Sequence, residues 1–391
     1  MYFMRRIYSP IILFSILVLM AGCAGNQKNV KHADLPFIRV SEDRTGFVYD
    51  DTGETFLVWG FNYDHDESGR LIEDYWHAEW ETVVGDFAEM KELGANVVRV
   101  HLQVGKFMNS PTEPNEASLE QLAKMLKLAE EVGLYLDVTG LGCYHKQDVP
   151  GWYDELGEAE RWEVQSRFWG AVAETCAGSP AVFCYDLMNE PVLDGGENKS
   201  QWLAGEFAGS YFVQRITLDL AGRNGEDVAK AWVDKLVAAI REKDERHMIT
   251  VGVIPWALVW PDAKALFYSE KAGENLDFAS VHFYPKAGEI EKAIKALAVY
   301  DVGKPLVIEE MFPLECSVEE MDQFIDESAK FTDGWISFYW GKTIAEYSEP
   351  GGTLTDAIMA EWLTYFSAKK TDIINRNVEK IKKADPSRIG L

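Results

Sequence analysis

The feature that most constrains this chain is a rhythm. Short apolar runs that end in polar residues alternate with longer segments whose apolar residues recur every three or four positions. The runs at 56–62, 95–101, 134–139, 181–189, 247–254, 276–283, 304–310 and 334–340 have the length and composition of buried strands. Helical spacing fills 81–93, 119–132, 158–177, 226–246, 289–298, 318–331 and 355–368, with a shorter candidate at 263–271 in the fifth interval. The first two helices stop at Gly94 and Gly133, as helices that end in a left-handed residue do. Near-continuous apolar strands belong in a parallel sheet covered on both faces. Eight such units predict an α/β fold, a (β/α)8 TIM barrel formed as one domain by 37–368. A doubly wound open sheet is the alternative, but no Gly-x-Gly-x-x-Gly follows the first strand.

Two segments decorate this rhythm. A short hairpin is expected from 37–40 and 46–49, turning at Glu42-Asp43-Arg44. A long insertion after strand four, Val192 to Gly225, carries Trp202, Phe207, Tyr211 and Phe212. In a barrel it would lie over the C-terminal face as a lid or wall.

The ends read differently. Arg5 and Arg6 precede an apolar run, Ile7 to Met20, and small residues follow, so 1–22 reads as an export signal. Leu19-Met20-Ala21-Gly22-Cys23 resembles a bacterial lipobox, with methionine where leucine is usual. That resemblance implies cleavage before Cys23, lipidation of its thiol, a tether over 23–36 and attachment to the cell envelope. The tail 369–391 is basic on an acidic protein and is expected to pair with the chain's own surface.

A net charge of −26 argues against nucleic acid, which needs a basic face. Neutral sugars remain a natural class, and thirteen tryptophans and sixteen tyrosines suit them, because flat rings stack on pyranose faces. Cys143, Cys176, Cys184 and Cys316 show no metal-ligand spacing and read as mostly buried thiols, with room for one disulfide. The acidic loop Asp64-His65-Asp66-Glu67 lacks the paired histidines of a barrel metal site. No metal or cofactor is expected.

Chemistry in a barrel gathers where strands end. Strand ends here supply Asn62, Arg99, His101, Thr139, Asn189, Glu190, His282, Tyr284, Glu309, Glu310 and Trp340. Glu190 on strand four and the Glu309-Glu310 pair on strand seven would face each other across the mouth. Two carboxyls so placed suit glycosidic cleavage: one protonates the leaving oxygen and the other meets the anomeric carbon.

Asn189-Glu190-Pro191, His282-Phe283-Tyr284, the run Lys304 to Glu310, Arg99 and Trp340 occur in the order and on the elements found in glycoside hydrolase family 5, which the chain resembles over 37–368. The resemblance implies a retaining β-glycosidase, with Glu190 as acid/base and Glu310 as nucleophile. Tyr284 and Arg99 would hold the nucleophile, Asn189 the sugar 2-hydroxyl and His282 a hydroxyl or the acid/base, and Trp340 would floor the sugar. It implies a β-1,4-glucan or mannan substrate. The chain departs from the pattern at Thr139, where histidine is common, leaving His101 or His145 to fill that space. It departs again at Met311-Phe312, where an aromatic and glycine usually follow the nucleophile. A non-catalytic glycan-binding surface lipoprotein on the same barrel is the competing reading. The membrane enters only through the lipid anchor, and the sequence carries no mark of oligomeric state.

Overall fold

The computed structural model describes residues 35–193, 201–207 and 209–384, with side chains up to residue 375. The export signal, Cys23, nearly all of the tether, part of the insertion and the last residues of the tail lie outside the described residues.

The central sheet is parallel throughout. Its strands are β1 (Val58–Tyr63), β2 (Val97–Gln103), β3 (Tyr135–Gly142), β4 (Val182–Asp186), β5 in two pieces (Met248–Thr250 and Gly252–Val253), β6 (Ala279–Phe283), β7 (Leu306–Met311) and β8 (Gly334–Ser337). The first piece of β5 pairs with β4 and the second with β6, while β8 pairs with β1. With Val251 bridging the two pieces, the ring passes through eight positions. The predicted barrel is the observed one.

Helices α1 (Trp80–Glu92), α2 (Glu116–Val132), α3 (Glu158–Cys176), α4 (Gly225–Arg241), α5 (Ile290–Leu297), α6 (Val318–Ser328) and α7 (Leu354–Ala384) surround it. The α2 helix shows how sequence sets such an element. The Asn115 side chain accepts from the Ala117 N–H, and Gly133 at φ 77° ends the helix. Between these caps Leu119, Leu122, Met125, Leu126 and Ala129 bury one face. Each large apolar side chain so buried contributes about 1.5–3 kcal/mol.

The fifth interval has no full helix. The expected 263–271 helix is instead a single 3-10 turn, Leu266–Tyr268, preceded by the short Trp256–Val259 helix. Pro255 and Pro261 bracket that short helix, and neither can sit inside a helix. At the other end, α7 runs unbroken from the barrel into the basic tail. Buried Lys369 pairs there with Asp322 and Asp326 of α6.

The predicted hairpin, Ile38–Val40 with Phe47–Tyr49, gains a third strand, Thr55–Phe56. It closes the end where the strands begin. Phe47 sits edge-on to Phe183 and Phe278, each at 5.2 Å, and Phe56 lies 5.1 Å from Tyr135. The insertion forms a small sheet at the opposite end: Leu203–Phe207 pairs antiparallel with Ser210–Arg215, which pairs in parallel with Pro191–Val192. The four described cysteines are all free.

Candidate active site

The fourth strand ends earlier than its apolar run suggests. Regular pairing stops at Asp186, and Leu187 to Glu190 form a turn. Glu190 has φ 48°, a left-handed conformation that costs an ordinary residue about 1–2 kcal/mol. Its N–H donates to the Gly252 carbonyl at 2.9 Å, which ties the turn to β5. Asn189 is held from above, where its Nδ2 donates to the Phe212 carbonyl of the insertion at 3.0 Å.

Arg99, fully buried on β2, organises the centre. Its Nη1 donates to Glu310 Oε1 at 2.6 Å and to Asn62 Oδ1 at 3.0 Å. Its Nη2 donates to Asp186 Oδ2 at 2.8 Å and to Asn189 Oδ1 at 2.9 Å. Burial opposes the guanidinium charge, but Glu309, Asp186 and Glu310 outweigh it and lock the charge in place. The Tyr284 hydroxyl donates to Glu310 Oε2 at 2.8 Å, so each oxygen of Glu310 has a donor.

His282 bridges the two glutamates. Its Nδ1 lies 2.9 Å from Glu190 Oε1 and 3.5 Å from Glu310 Oε2. Burial disfavours the charged ring, yet Glu310, then Glu190 and Glu309, push its pKa up to about 10. One oxygen of Glu190, one of Glu310 and a His282 nitrogen lie within 4.8 Å of one another. Burial raises the pKa of Glu310, aided by Glu190 and opposed by His282 and Arg99. Asp137, Cys184 and Glu309 form a second such trio below. Both trios hold a carboxylate that Arg99 already faces, at 2.6 Å from Glu310 and 3.7 Å from Glu309, where a cation would otherwise bind.

Of the residues expected at the site, Arg99, Asn189, Glu190, His282, Tyr284 and Glu310 come together. Trp340 does not join them. It is 1% exposed and its indole belongs to the core, so it offers no face to a ligand. The chain leaves regular strand pairing after Ser337, which redirects the following side chains. Half-buried Phe338 stands at the mouth instead, 6.4 Å from the Tyr284 ring.

Of the two histidines considered for the space at strand three, His101 lies within the buried network. Its Nε2 lies 3.1 Å from Asn62 Oδ1 and its Nδ1 2.5 Å from the Tyr144 hydroxyl. Burial and then Arg99 hold His101 well below the usual histidine range, so its ring is neutral. His145 is partly exposed, 3.4 Å from Asp148. Thr139 donates to Asp186 Oδ2 at 3.0 Å and so supports Arg99 indirectly.

Glu309 was legible as a strand-end acid but not as a partner of its neighbour. Strict alternation would turn it out of the barrel. The β6–β7 register slips between Val281 and His282, and the β7–β8 register slips between Ile308 and Met311. This bulge keeps both glutamates inside. Asp137, Asp186, Tyr144 and Gly252 also build the site and carried no motif. A Cβ on Gly252 would meet Glu309 Oε2 at 2.5 Å and His282 Nε2 at 2.8 Å, so any larger residue there must push these groups aside.

The chain shares sequence and fold with known proteins. It is 22% identical over 283 residues to mannan endo-1,4-β-mannosidase A of Emericella nidulans, covering 64% of this chain and 64% of that protein. It is 29% identical over 119 residues to mannan endo-1,4-β-mannosidase 5 of Arabidopsis thaliana, covering 27% of this chain and 21% of that protein. The chain thus spans less than two thirds of either relative's length. Among solved structures, the fold is similar to exo-β-1,4-mannosidase Op5Man5 from Opitutaceae bacterium strain TAV5, with TM-score 0.62, 15% identity, and 86% of this chain and 62% of that one covered. It is also similar to the β-mannanase of the blue mussel Mytilus edulis, with TM-score 0.57, 16% identity, and 85% and 97% covered. The family model for cellulase, glycosyl hydrolase family 5, matches residues 49–375. A match over most of the chain settles the family, and the protein belongs to glycosyl hydrolase family 5.

Proposed function

We propose that this protein is a retaining β-glycosidase that cleaves β-1,4-linked glycans of the mannan or glucan type. The observation that carries the reading is the meeting of Glu190 and Glu310, whose oxygens lie within 4.8 Å across the barrel mouth. Retaining enzymes hold their carboxyls about 5–5.5 Å apart, and inverting ones about 6.5–9.5 Å, to admit a water. Mannan stands first because both curated relatives are mannosidases by name.

In this mechanism Glu310 attacks the anomeric carbon and forms an ester to the sugar. Arg99 and Tyr284 hold both its oxygens, which fixes the direction of attack. Glu190 gives its proton to the departing glycosidic oxygen. It then takes a proton from water, whose oxygen attacks the anomeric carbon and frees Glu310. Asn189 Nδ2 keeps one N–H beyond its bond to Phe212, available to the sugar 2-hydroxyl. Phe338, rather than Trp340, is the aromatic surface under the sugar.

The first product on mannan or glucan oligomers, followed by NMR, is expected to be the β-anomer. An α-anomer as first product overturns the mechanism. A wild type as inert as Glu310→Ala on a broad glycan panel, while both bind glycan, makes the protein a binding module. We further propose that Cys23 is lipidated and holds the enzyme at the cell envelope. Mass spectrometry of the mature N-terminus tests this, and an unmodified Cys23 in membrane fractions rejects it.

A further inference from the structure

The mechanism leaves two buried acids unused. Glu309 and Asp137 lie inside the barrel beneath the catalytic pair, both without solvent exposure. Their carboxyl groups lie within 4.8 Å of each other, close enough for one to hydrogen-bond the other once either holds a proton. Two carboxylates so close in a dry interior do not both ionise, so the pair retains a proton. Its location follows from the surroundings. Burial opposes charge on Glu309, but Arg99 at 3.7 Å and His282 at 3.6 Å hold it ionised. Burial, and then Glu309 itself, drive Asp137 well above the usual range, so Asp137 carries the proton.

His282 therefore has a carboxyl group at each edge. Glu309 of β7 faces Nε2 at 3.6 Å, and Glu190, beyond β4, faces Nδ1 at 2.9 Å. Glu310 of β7 lies 3.5 Å from Nδ1. Arg99 of β2 acts against the ring's charge, neutral His101 lies farther along β2, and Gly252 of β5 sits close to the Nε2 edge. Anions outnumber the one opposing cation.

We propose that Glu309 is a positioning residue for the acid/base step: it holds the Nε2 edge of His282, so the opposite edge always presents an N–H to Glu190. The inference rests on Glu190 being the acid/base. When Glu190 passes its proton to the leaving oxygen it becomes a carboxylate, and the His282 N–H stabilises that charge as it forms. A ring without a proton on Nδ1 would set lone pair against lone pair there. The bulge at Glu309 and the glycine at 252 are the two backbone devices that make room for this contact.

The experiment compares Glu309→Gln with wild type on two aryl β-glycosides of one sugar. One has a 2,4-dinitrophenyl leaving group, which departs without protonation, and the other a phenyl group, which needs it. The kcat/KM on the phenyl glycoside is expected to fall at least about tenfold further than on the dinitrophenyl glycoside. Glu309→Asp is expected to recover part of that difference. A misfolded fraction lowers both substrates alike and leaves the ratio unchanged. Nitrogen-15 NMR at pH 8 is expected to show His282 with protons on both nitrogens in wild type and on one in Glu309→Gln. Equal losses on the two substrates, or a doubly protonated His282 in the variant, overturn the proposal. If wild type cleaves no β-glycoside, the reading of Glu190 fails, and the NMR comparison alone decides whether Glu309 sets the proton on His282.

Discussion

The two ends of this barrel use the same strands for opposite purposes. Where strands begin, the interior is Val58, Val97, Tyr135, Phe183, Met248, Phe278 and Val307, sealed by Ile38, Phe47 and Phe56 of the hairpin. Where the same strands end, the interior is Asn62, Arg99, Asp186, His282, Glu309 and Glu310, all buried. One end gains stability from apolar area, at about 25 cal/mol per Å². The other buries charges, which cost stability unless each finds its partner. Function occupies the costly end, and the apolar end offsets it. The contrast teaches that stability and activity should separate cleanly by depth along the barrel axis.

The largest expected effect tests the polar end. Glu310→Ala should lower kcat by about 10⁴-fold or more while leaving the melting temperature equal or higher, because burial and Glu190 disfavour its charge and Arg99 keeps Asp186 and Asn62 as partners. Paired turnover and calorimetry measurements check this, and a large drop in stability would break the contrast. Next, Phe47→Ala at the apolar end should cost about 3–5 kcal/mol in urea unfolding with kcat per folded molecule unchanged. A comparable loss of kcat there would show the two ends to be coupled.

Gly252→Ala comes third, at about 1–3 kcal/mol, because its new Cβ overlaps Glu309, His282 and Arg99. Unlike Phe47→Ala it should also reduce turnover, since the displaced groups belong to the site. A fourth expectation concerns pH. The folded pKa of His282, about 10, lies above its ordinary 6.5. Its contribution to stability is therefore complete below about pH 6.5 and is lost as pH rises through about 10. Urea midpoints should fall between pH 6.5 and 10 in wild type and fall less in His282→Gln. The smallest effect is at the turn: Glu190→Gly should be about 1 kcal/mol more stable than Glu190→Ala, because φ 48° suits glycine.

Much of the barrel was legible because each strand and helix is a local pattern. The α2 helix announces itself through Asn115, its apolar spacing and Gly133, and none of these depends on distant residues. The fifth interval was less legible, since two prolines compete with helical spacing and the outcome depends on packing. At the site, Glu190 and Glu310 could be read because each ends an apolar run. Trp340 misled for the same reason: it ends the eighth run, but regular pairing stops at Ser337 and Phe338 takes the mouth. Asp137 carried no signal, because a single acid within a strand is unremarked until its neighbours are known.

The sequence by itself determined the alternation of elements, the polar residues at strand ends and the two acidic positions that close the fourth and seventh apolar runs. These are short-range properties, set by periodicity and by residues that stop a helix or strand. Only the tertiary structure decided that Glu309 stays inside beside Glu310, that His282 lies between Glu190 and Glu309 and that Arg99 serves four partners at once. Those outcomes depend on strand register. A slip of one residue reverses the face a side chain takes, and register is set by the whole ring closing rather than by any one strand.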